Sequence, residues 1–305
     1  MKNILVPVDF SEVSEAAARF AVDLAQQQGA SVTFLNSAEI NLFTDYHFAL
    51  YSEKKVMETE AFSSIKLQMD RMVQEFKVAG VALSGKVSPF SLMEAIREEI
   101  DEKDVDLLVV GTNGSSGLEE FFIGSNTEKI VRQVKCPVIS VPQTTSIDSI
   151  KKILVPLDLR EIRDSFLQQV RFLQTMFDCR LEFIWVKTPH NVENEERVAE
   201  EMHALFENYG LVNYSFFIVR NVFPSDGIFM EVEDAKADMV AMATHARRGI
   251  SHWLSGSLTE DTVNHVLVPV WSFKIDKNEK VLKLNAVTQA KGVPEYRKID
   301  PIVIL

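Results

Sequence analysis

Four glycines that lie close together in the first half of the chain are the residues best suited to chemistry. Residues 109–126 read VVGTNGSSGLEEFFIGSN, and four of the chain's twelve glycines lie between Gly111 and Gly124. Glycine lets backbone N–H groups turn towards a ligand and lets a phosphate group approach closely. The spacing therefore predicts a loop that binds a nucleotide or a similar phosphate ester.

The glycine loop lies between a predicted strand and a predicted helix. Residues 105–110 are mostly apolar and β-branched, which is typical of a buried parallel strand. After the loop, apolar residues recur with helical spacing, and Ser125 and Glu128 have the spacing of a capping box, so we expect a helix to begin at Ser125. The carboxyl ends of parallel strands are where open α/β sheets bind ligands, and a helix amino terminus favours an anion.

Composition and charge indicate a soluble globular protein and argue against several classes of partner. The chain has 305 residues, of which 46% are hydrophobic, and this is enough for two ordinary domains. Its net charge of −12 argues against nucleic acid, which requires a basic surface. The first residues run directly into a strand, with no leader and no apolar segment of membrane length, so we expect a cytoplasmic protein without a membrane partner.

The cysteines and histidines indicate neither a thiol nucleophile nor a metal centre. Cys136 and Cys179 lie in different halves of the chain without metal-ligand spacing, so we expect two buried thiols. The six histidines share no ligand pattern.

The chain contains two copies of one domain. Residues 3–12 and 152–161 are identical at six of ten positions. Residues 106–138 also align with residues 238–270, so the repeat spans nearly all of each half.

Hydrophobic periodicity predicts five strands that alternate with four helices in the first copy. The strands are expected at residues 3–8, 31–35, 81–87, 105–110 and 137–141, and the helices at 11–28, 54–79, 90–103 and from 125 onward. Such alternation implies a parallel, doubly wound sheet with right-handed crossovers. The predicted fold class is α/β, with two tandem doubly wound domains, each a five-stranded parallel sheet flanked by about four helices.

We expect the domains at residues 1–143 and 150–273, followed by a C-terminal extension at 274–305. The linker between the domains is predicted at residues 143–149. The extension carries seven Lys or Arg against four Asp or Glu and ends in apolar residues. We therefore expect it to dock on the protein.

Three ordered motifs in the first half resemble the universal stress protein family. They are LVPVD at residues 5–9, the glycine loop that ends in Gly-Ser-Asn at 124–126, and CPV at 136–138. The resemblance is to a tandem member and covers nearly all of residues 1–273. It implies an adenine nucleotide α-hydrolase-like fold and a role in stress response. In one branch of the family it also implies ATP binding by the glycine loop and the end of the first strand.

By this resemblance, the first domain would bind ATP, ADP or AMP, with Mg²⁺ accompanying ATP. The residues implied around the phosphates and ribose are Val110, Gly111, Gly114, Gly124, Ser125 and Asn126. Those implied near the base are Pro7, Val8, Asp9 and Ser37.

Several of these residues have a purely structural alternative. Asp9 could instead cap the helix that follows it, and Pro7 could serve only to shape the strand end. Ser37 could be an ordinary turn residue, and Ser125 could serve only as a helix cap.

The second copy is a poor candidate for nucleotide binding. Ala243 and Ala246 stand where the first copy has Gly111 and Gly114. If those positions need positive φ or close phosphate approach, each added Cβ costs roughly 1 kcal/mol or more. The same loop carries Arg247 and Arg248, which are suited either to ion pairs on an acidic surface or to another anion.

Three functions stay open, led by a regulatory module whose ATP occupancy changes its interactions with an unidentified protein partner. The second is a slow ATPase or self-phosphorylating protein, with Ser115, Ser116 or Thr127 as acceptor. It has weak support because the full set of phosphoryl-transfer residues is missing near the loop and the sequence has no Walker motif. The third is a nucleotide-free scaffold.

The resemblance also has an implication for assembly. Family members commonly pair through their last strand, which here is residues 137–141 and its repeat at 268–271. The two domains would then form an internal pseudo-dimer, and association of two chains into a homodimer is left open.

Overall fold

The structure is a computed structural model that describes seven stretches of the chain. They are residues 1–38, 60–112, 125–142, 145–245, 266–276, 278–282 and 297–299. The described chain forms two compact units, one in each half, that divide between Thr145 and Ser146. The exact boundaries of the predicted domains stay predictions.

The first half of the chain contains the expected alternation of strands and helices. Its strands are β1 (Asn3–Pro7), β2 (Ser31–Ser37), β3 (Ala82–Ser88), β4 (Leu107–Thr112) and β5 (Val138–Pro142). Its described helices are α1 (Glu12–Gln28), α2 (Glu60–Glu75), α3 (Leu92–Lys103) and α4 (Ser125–Gln133). Nearly all of the bounds lie within two residues of the prediction. The long helix predicted at 54–79 ends at Glu75, and residues 54–59 lie outside the described chain.

The five strands of the first unit form a parallel sheet in the order β5-β4-β1-β2-β3. The chain runs outward from β1 through β2 to β3, then returns to add β4 on the other side of β1. A parallel sheet leaves a crevice at the carboxyl ends of its strands where the order reverses. In this sheet the crevice lies between β1 and β4.

Helix α1 packs tightly on the sheet because its buried face is rich in alanine. Ala17, Ala18, Ala21 and Ala25 are all fully buried. The helix ends at Gly29, which adopts a left-handed conformation with φ of 64° and donates its N–H to the Ala25 carbonyl. Small side chains on this face let the backbone of α1 lie close to the strands.

The second unit repeats this architecture and gains a strand. Its strands are β6 (Lys152–Pro156), β7 (Arg180–Lys187), β8 (Tyr214–Arg220), β9 (Met239–His245), β10 (Val270–Ile275) and β11 (Arg297–Ile299). Its described helices are α5 (Asp164–Phe177), α6 (Glu195–Asn208) and α7 (Pro224–Asp234). The predicted fold class, two tandem α/β domains, is confirmed.

The added strand β11 comes from the C-terminal extension. The strand order of the second unit is β11-β8-β7-β6-β9-β10, and all of the pairs are parallel. Strand β11 pairs with β8 along the edge of the sheet, with Arg297 opposite Phe217 and Ile299 opposite Val219. The extension therefore docks on the second unit, as its composition predicts.

Candidate functional site

The carboxyl ends of β1, β2 and β4 meet at one edge of the first sheet. Pro7 on β1 pairs with Leu35 on β2. On its other side β1 pairs with β4 in the register that sets Leu5 opposite Leu108, and this register brings Pro7 level with Val110. The implied base-side residues and the start of the glycine loop thus lie side by side at the crevice.

Asp9 organises the turn between β1 and α1. Its Oδ1 accepts hydrogen bonds from the Ser11 backbone N–H at 3.1 Å and from Ser11 Oγ at 2.5 Å. Partial burial acts to raise the pKa of Asp9, but the hydrogen bonds from Ser11 and Ser14 outweigh it, and the pKa lies below its ordinary value. Asp9 is therefore ionised at neutral pH. The N-cap of α1 is Ser11, whose side chain accepts from the Ser14 N–H.

Phe10 has a strained backbone at the same turn. Its φ is 63°, in the left-handed region that bulky residues seldom occupy. Such strain persists where the surrounding structure enforces it, and it clusters at functional sites. A phenylalanine gives no indication of left-handed geometry in the sequence, so sequence reasoning missed it.

The backbone of Val8 is held on both sides. Its N–H donates to the Leu35 carbonyl at 2.8 Å, and its carbonyl accepts from Asn36 Nδ2, also at 2.8 Å. Asn36 is buried at the end of β2. Sequence reasoning also missed this residue, although an amide directly after the apolar residues Phe34 and Leu35 was an available indication. The strand end that carries Val8 is rigid because both of its backbone polar groups are paired.

Ser37 fixes the loop that precedes α3. Its Oγ donates to the Phe90 carbonyl at 2.6 Å. The neighbouring Ala38 N–H donates to the carbonyl of Ser88, and the buried Ser88 Oγ accepts from the Phe90 N–H. The structural role of Ser37 therefore uses its hydroxyl proton, while its oxygen can still accept a hydrogen bond.

Gly111 is required for packing. Its φ does not lie in the left-handed region, but a Cβ added to it would lie 2.4 Å from the Val13 carbonyl oxygen and 2.7 Å from Val13 Cγ1. The first turn of α1 thus rests directly on the backbone of β4. This close approach explains the first glycine of the loop without any ligand.

The remaining loop residues are only partly described. Helix α4 begins at Ser125, as the sequence predicts. Gly114 and Gly124 lie outside the described residues, as do the side chains of Ser125 and Asn126.

Two polar residues of α4 are clearly placed. Thr127 is buried, and its Oγ1 donates to the Gly111 carbonyl at 3.3 Å. Thr127 therefore anchors α4 to the end of β4 and is poorly suited to accept a phosphoryl group. Lys129, by contrast, is exposed.

A sequence profile described as the universal stress protein family matches residues 1–142 and again 149–274. The chain belongs to the universal stress protein family. The family is a stress-response class, and two matches in one chain make this a tandem member.

Relatives and solved structures agree with this membership. A universal stress protein of Methanocaldococcus jannaschii is 29% identical over 144 residues, which cover 46% of this chain and 81% of that protein. A putative universal stress protein of Staphylococcus haemolyticus is 32% identical over 143 residues, covering 46% of this chain and 84% of that protein. The crystal structure of a universal stress protein from Archaeoglobus fulgidus matches at a TM-score of 0.69 and 18% identity, over 89% of this chain and 98% of that one, and shows that the fold is shared.

The second domain of this universal stress protein retains one hydrogen bond of the turn after its first strand. Asp158 occupies the repeat position of Asp9, and its Oδ1 accepts from the Arg160 N–H at 3.0 Å. Ala243 takes the place of Gly111, and α5 starts at Asp164, three residues later than the repeat alignment with α1 predicts. Since Gly111 touches the first turn of α1, a methyl group at Ala243 is consistent with the loss of that turn in α5.

The remaining candidate groups offer little chemistry. Cys136 and Cys179 are buried, as expected, and burial raises the pKa of each thiol to about 12. Within the described stretches, no three His, Cys, Asp or Glu side chains are grouped so that they could hold a metal ion. None of the helices described is both long enough and apolar enough to cross a membrane.

Proposed function

We propose that this universal stress protein is a cytoplasmic regulatory module that binds ATP in its first domain. The observation that carries the proposal is the crevice between β1 and β4, where the ends of three strands meet and the glycine loop leads into α4. The first N–H groups of a helix have no partners within it, so the start of α4 favours the phosphates of a nucleotide. Occupancy would change how the protein interacts with an unidentified protein partner.

The residues at the crevice suit an adenine nucleotide. Val8 and Val110 are buried apolar residues that could bound the slot for a base. Asp9 is ionised and therefore only accepts hydrogen bonds, which suits the amino group of adenine or the hydroxyls of ribose. Gly114, Gly124, Ser125 and Asn126 stay proposed phosphate-side residues.

The role proposed for Gly111 is changed by its surroundings. It permits the close approach of α1 to β4, so its contribution to nucleotide binding is indirect. Mg²⁺ would be held chiefly by the phosphates and water, as is usual for this ion, and would screen the phosphate charges.

Binding without rapid turnover is the better supported form of this proposal. Thr127 is buried with its hydroxyl engaged, and Lys129 is exposed on α4. Fast phosphoryl transfer needs a cation on the transferred group and a residue that positions the nucleophile. Neither residue fits these two roles well.

Denaturing extraction of the purified protein, followed by chromatography of the released nucleotides, tests the proposal. The informative variant is Gly114→Val, whose side chain would crowd the phosphates, and the matched control is Ala246→Val at the corresponding position of the second domain. We expect wild type and Ala246→Val to release the same amount of ATP or ADP, and Gly114→Val to release almost none. Intact ATP would also argue against rapid hydrolysis.

Two outcomes would contradict the proposal. Equal nucleotide content in wild type and Gly114→Val would exclude the glycine loop as the site. A wild-type protein that is empty and also fails to bind added ATP and Mg²⁺ would leave the scaffold function.

A further inference from the structure

A polar cavity lies between helix α3 and the first sheet. Its volume is about 210 Å³, and its lining includes Ser31 and Thr33 of β2, Ser84 of β3, and Glu99 and Lys103 of α3. These strand residues lie in the first half of their strands, whereas the nucleotide crevice lies at the carboxyl ends. The cavity is therefore separate from the proposed ATP site.

Glu99 contributes a buried carboxylate to the lining of this cavity. The side chain is 0% exposed, with Lys86 Nζ 2.7 Å from Oε1 and Lys103 Nζ 2.9 Å from Oε2. Each carboxylate oxygen can accept two hydrogen bonds, and neither receives one of good geometry from the described residues. The lysines neutralise the charge of Glu99, but its oxygens retain capacity for hydroxyl donors from a bound molecule.

Two hydroxyl groups line the same cavity. Thr33 Oγ1 and Ser84 Oγ lie 3.1 Å apart, and either atom can be the donor. A single hydrogen bond between two hydroxyls uses one of their two protons, so the other proton and the remaining lone pairs can serve a ligand. Glu99 therefore supplies acceptors, and this pair supplies a donor as well as acceptors.

The second domain fills the same position with its own side chains. Three lining residues have register equivalents in the second sheet, which are Arg180 for Ser31, Glu182 for Thr33 and Ser215 for Ser84. The Arg180 guanidinium donates to Ser215 Oγ, and its Nε lies 3.6 Å from Glu182 Oε1. Lys152 Nζ donates to the Ala235 carbonyl and lies 3.8 Å from Glu182 Oε1. Two cationic side chains thus provide the hydrogen-bond donors at this position of the second domain.

Short residues leave the position open in the first domain. Serine and asparagine stand where the second domain has Arg180 and Lys152, and Ser84 is exposed to solvent. The pockets of drug-sized ligands measure about 300–1,000 Å³, so a cavity of about 210 Å³ suits a smaller molecule.

The charges around the cavity favour a neutral ligand. A cation from solution is disfavoured, since Lys86 and Lys103 already lie against Glu99. A neutral molecule with several hydroxyl groups supplies hydrogen-bond donors without adding charge. Its oxygens can also accept hydrogen bonds from Lys103 and from the hydroxyl pair of Thr33 and Ser84.

We propose that the cavity beneath α3 binds a small neutral polyol, with a chain of about four or five carbons. Its hydroxyls donate to the Glu99 carboxylate and to Thr33 or Ser84, and they accept from Lys103. Binding links α3 to β2 and β3 and so stabilises the first domain. The inference does not depend on ATP binding, because the cavity and the crevice lie at opposite ends of the strands.

Amide chemical shifts of the isotope-labelled full-length chain test the inference, with xylitol as the probe. Polyols also stabilise proteins by exclusion from their surface, so the evidence required is a saturable shift confined to β2, β3 and α3. Ser84→Ala removes one hydroxyl from the cavity, and Ser215→Ala at the equivalent position of the second domain is the matched control. We expect Ser84→Ala to weaken xylitol binding roughly threefold to tenfold, the effect of losing one hydrogen bond, and the control to bind like wild type.

A second variant closes the cavity with residues of the second domain. Ser31→Arg/Thr33→Glu reproduces the pair formed by Arg180 and Glu182, and it should abolish the saturable shifts. The shifts of β4 and β5 amides, which lie outside the cavity lining, report whether this variant is folded. If it does not fold, Ser84→Ala still tests the inference.

Three results would overturn the inference. Shifts that grow linearly with xylitol over the whole surface would show that the cavity holds only water. Saturable binding of the diamine putrescine without binding of xylitol would show that the position takes a cation. Equal affinity of wild type and Ser84→Ala, or saturable shifts confined to the crevice, would place the polyol elsewhere.

Discussion

Replacement of Gly111 by alanine tests whether this glycine is needed for packing against α1 or for direct contact with a phosphate. The added Cβ would lie 2.4 Å from the carbonyl oxygen of Val13 and 2.8 Å from its carbonyl carbon. Ordinary contacts of a Cβ are 3.4–4 Å, so the first turn of α1 must move by about 1 Å. Overpacking of this kind costs about 1–3 kcal/mol, and we expect the upper part of that range because the obstacle is backbone.

The identity of the obstructing atoms provides an internal check. Val13 Cγ1 is also close, at 2.7 Å, but the nearest atom is the carbonyl oxygen. Trimming the side chain in a Gly111→Ala/Val13→Ala double variant should therefore recover little of the lost stability. Ala243→Gly, the reverse change in the second domain, should alter the free energy of unfolding by about 1 kcal/mol or less, the ordinary effect of glycine in a strand.

The assay must report on the first domain. All three tryptophans, at positions 185, 253 and 271, lie in the second half of the chain, so intrinsic tryptophan fluorescence would follow the second domain. Urea unfolding followed by hydrogen exchange of β1 and β4 amides gives the free energy of unfolding where the change is made. If Gly111→Ala unfolded like wild type yet lost its nucleotide, the packing explanation would be refuted and direct phosphate contact would replace it.

Two further predictions concern a buried and a partly buried ionisable group. Glu99 is fully buried, with Lys86 at 2.7 Å; burial acts to raise its pKa, but Lys86 and Lys103 lower it below the ordinary value. The ionised Glu99 therefore stabilises the fold above about pH 4.5, and this stabilisation is lost as pH falls. Lys86→Met should reduce the urea-derived free energy of unfolding by about 1–3 kcal/mol at pH 7 and by less in acid. The reduction at pH 7 should exceed that of Lys66→Met, a control on the exposed side of α2. Burial lowers the pKa of His203, so stability should fall as pH drops below the unfolded value near 6.5. Between pH 7.5 and 5.5, the melting temperature should fall less in His203→Gln than in wild type. If His203→Gln reduced this fall no more than His190→Gln does, the prediction would be contradicted.

The architecture was predictable because local periodicity and repetition both point to it. Strands of apolar residues alternate with helices in each copy, and this alternation almost dictates a parallel sheet with a crevice at the strand ends. The start of α4 at Ser125 followed from a capping pattern, and the structure has it there. The sequence therefore placed the glycine loop at the edge where the carboxyl ends of the strands meet, and the binding of a ligand there stays a prediction.

The contacts within that edge depend on atoms far apart in the chain, and sequence did not reveal them. Gly111 is explained by Val13, nearly a hundred residues earlier, and Val8 is fixed by Asn36 on the next strand. Phe10 adopts a conformation that its residue type disfavours, because the neighbouring structure enforces it. Contacts of this kind follow from tertiary packing, which overrides local preference.

The docking of the C-terminal extension has a consequence for the order in which the chain folds. Glu279 accepts a hydrogen bond from the Ser165 N–H, 114 positions away, and β11, which closes the sheet edge at β8, ends at Ile299. The strands of the first unit are all synthesised by Pro142, whereas the second unit lacks the Glu279 contact and an edge strand until residues 279–299 are made. Because contacts of long sequence separation form slowly, the first domain can fold while the second is still being synthesised. Truncation before residue 279 would thus damage the second domain and spare the first.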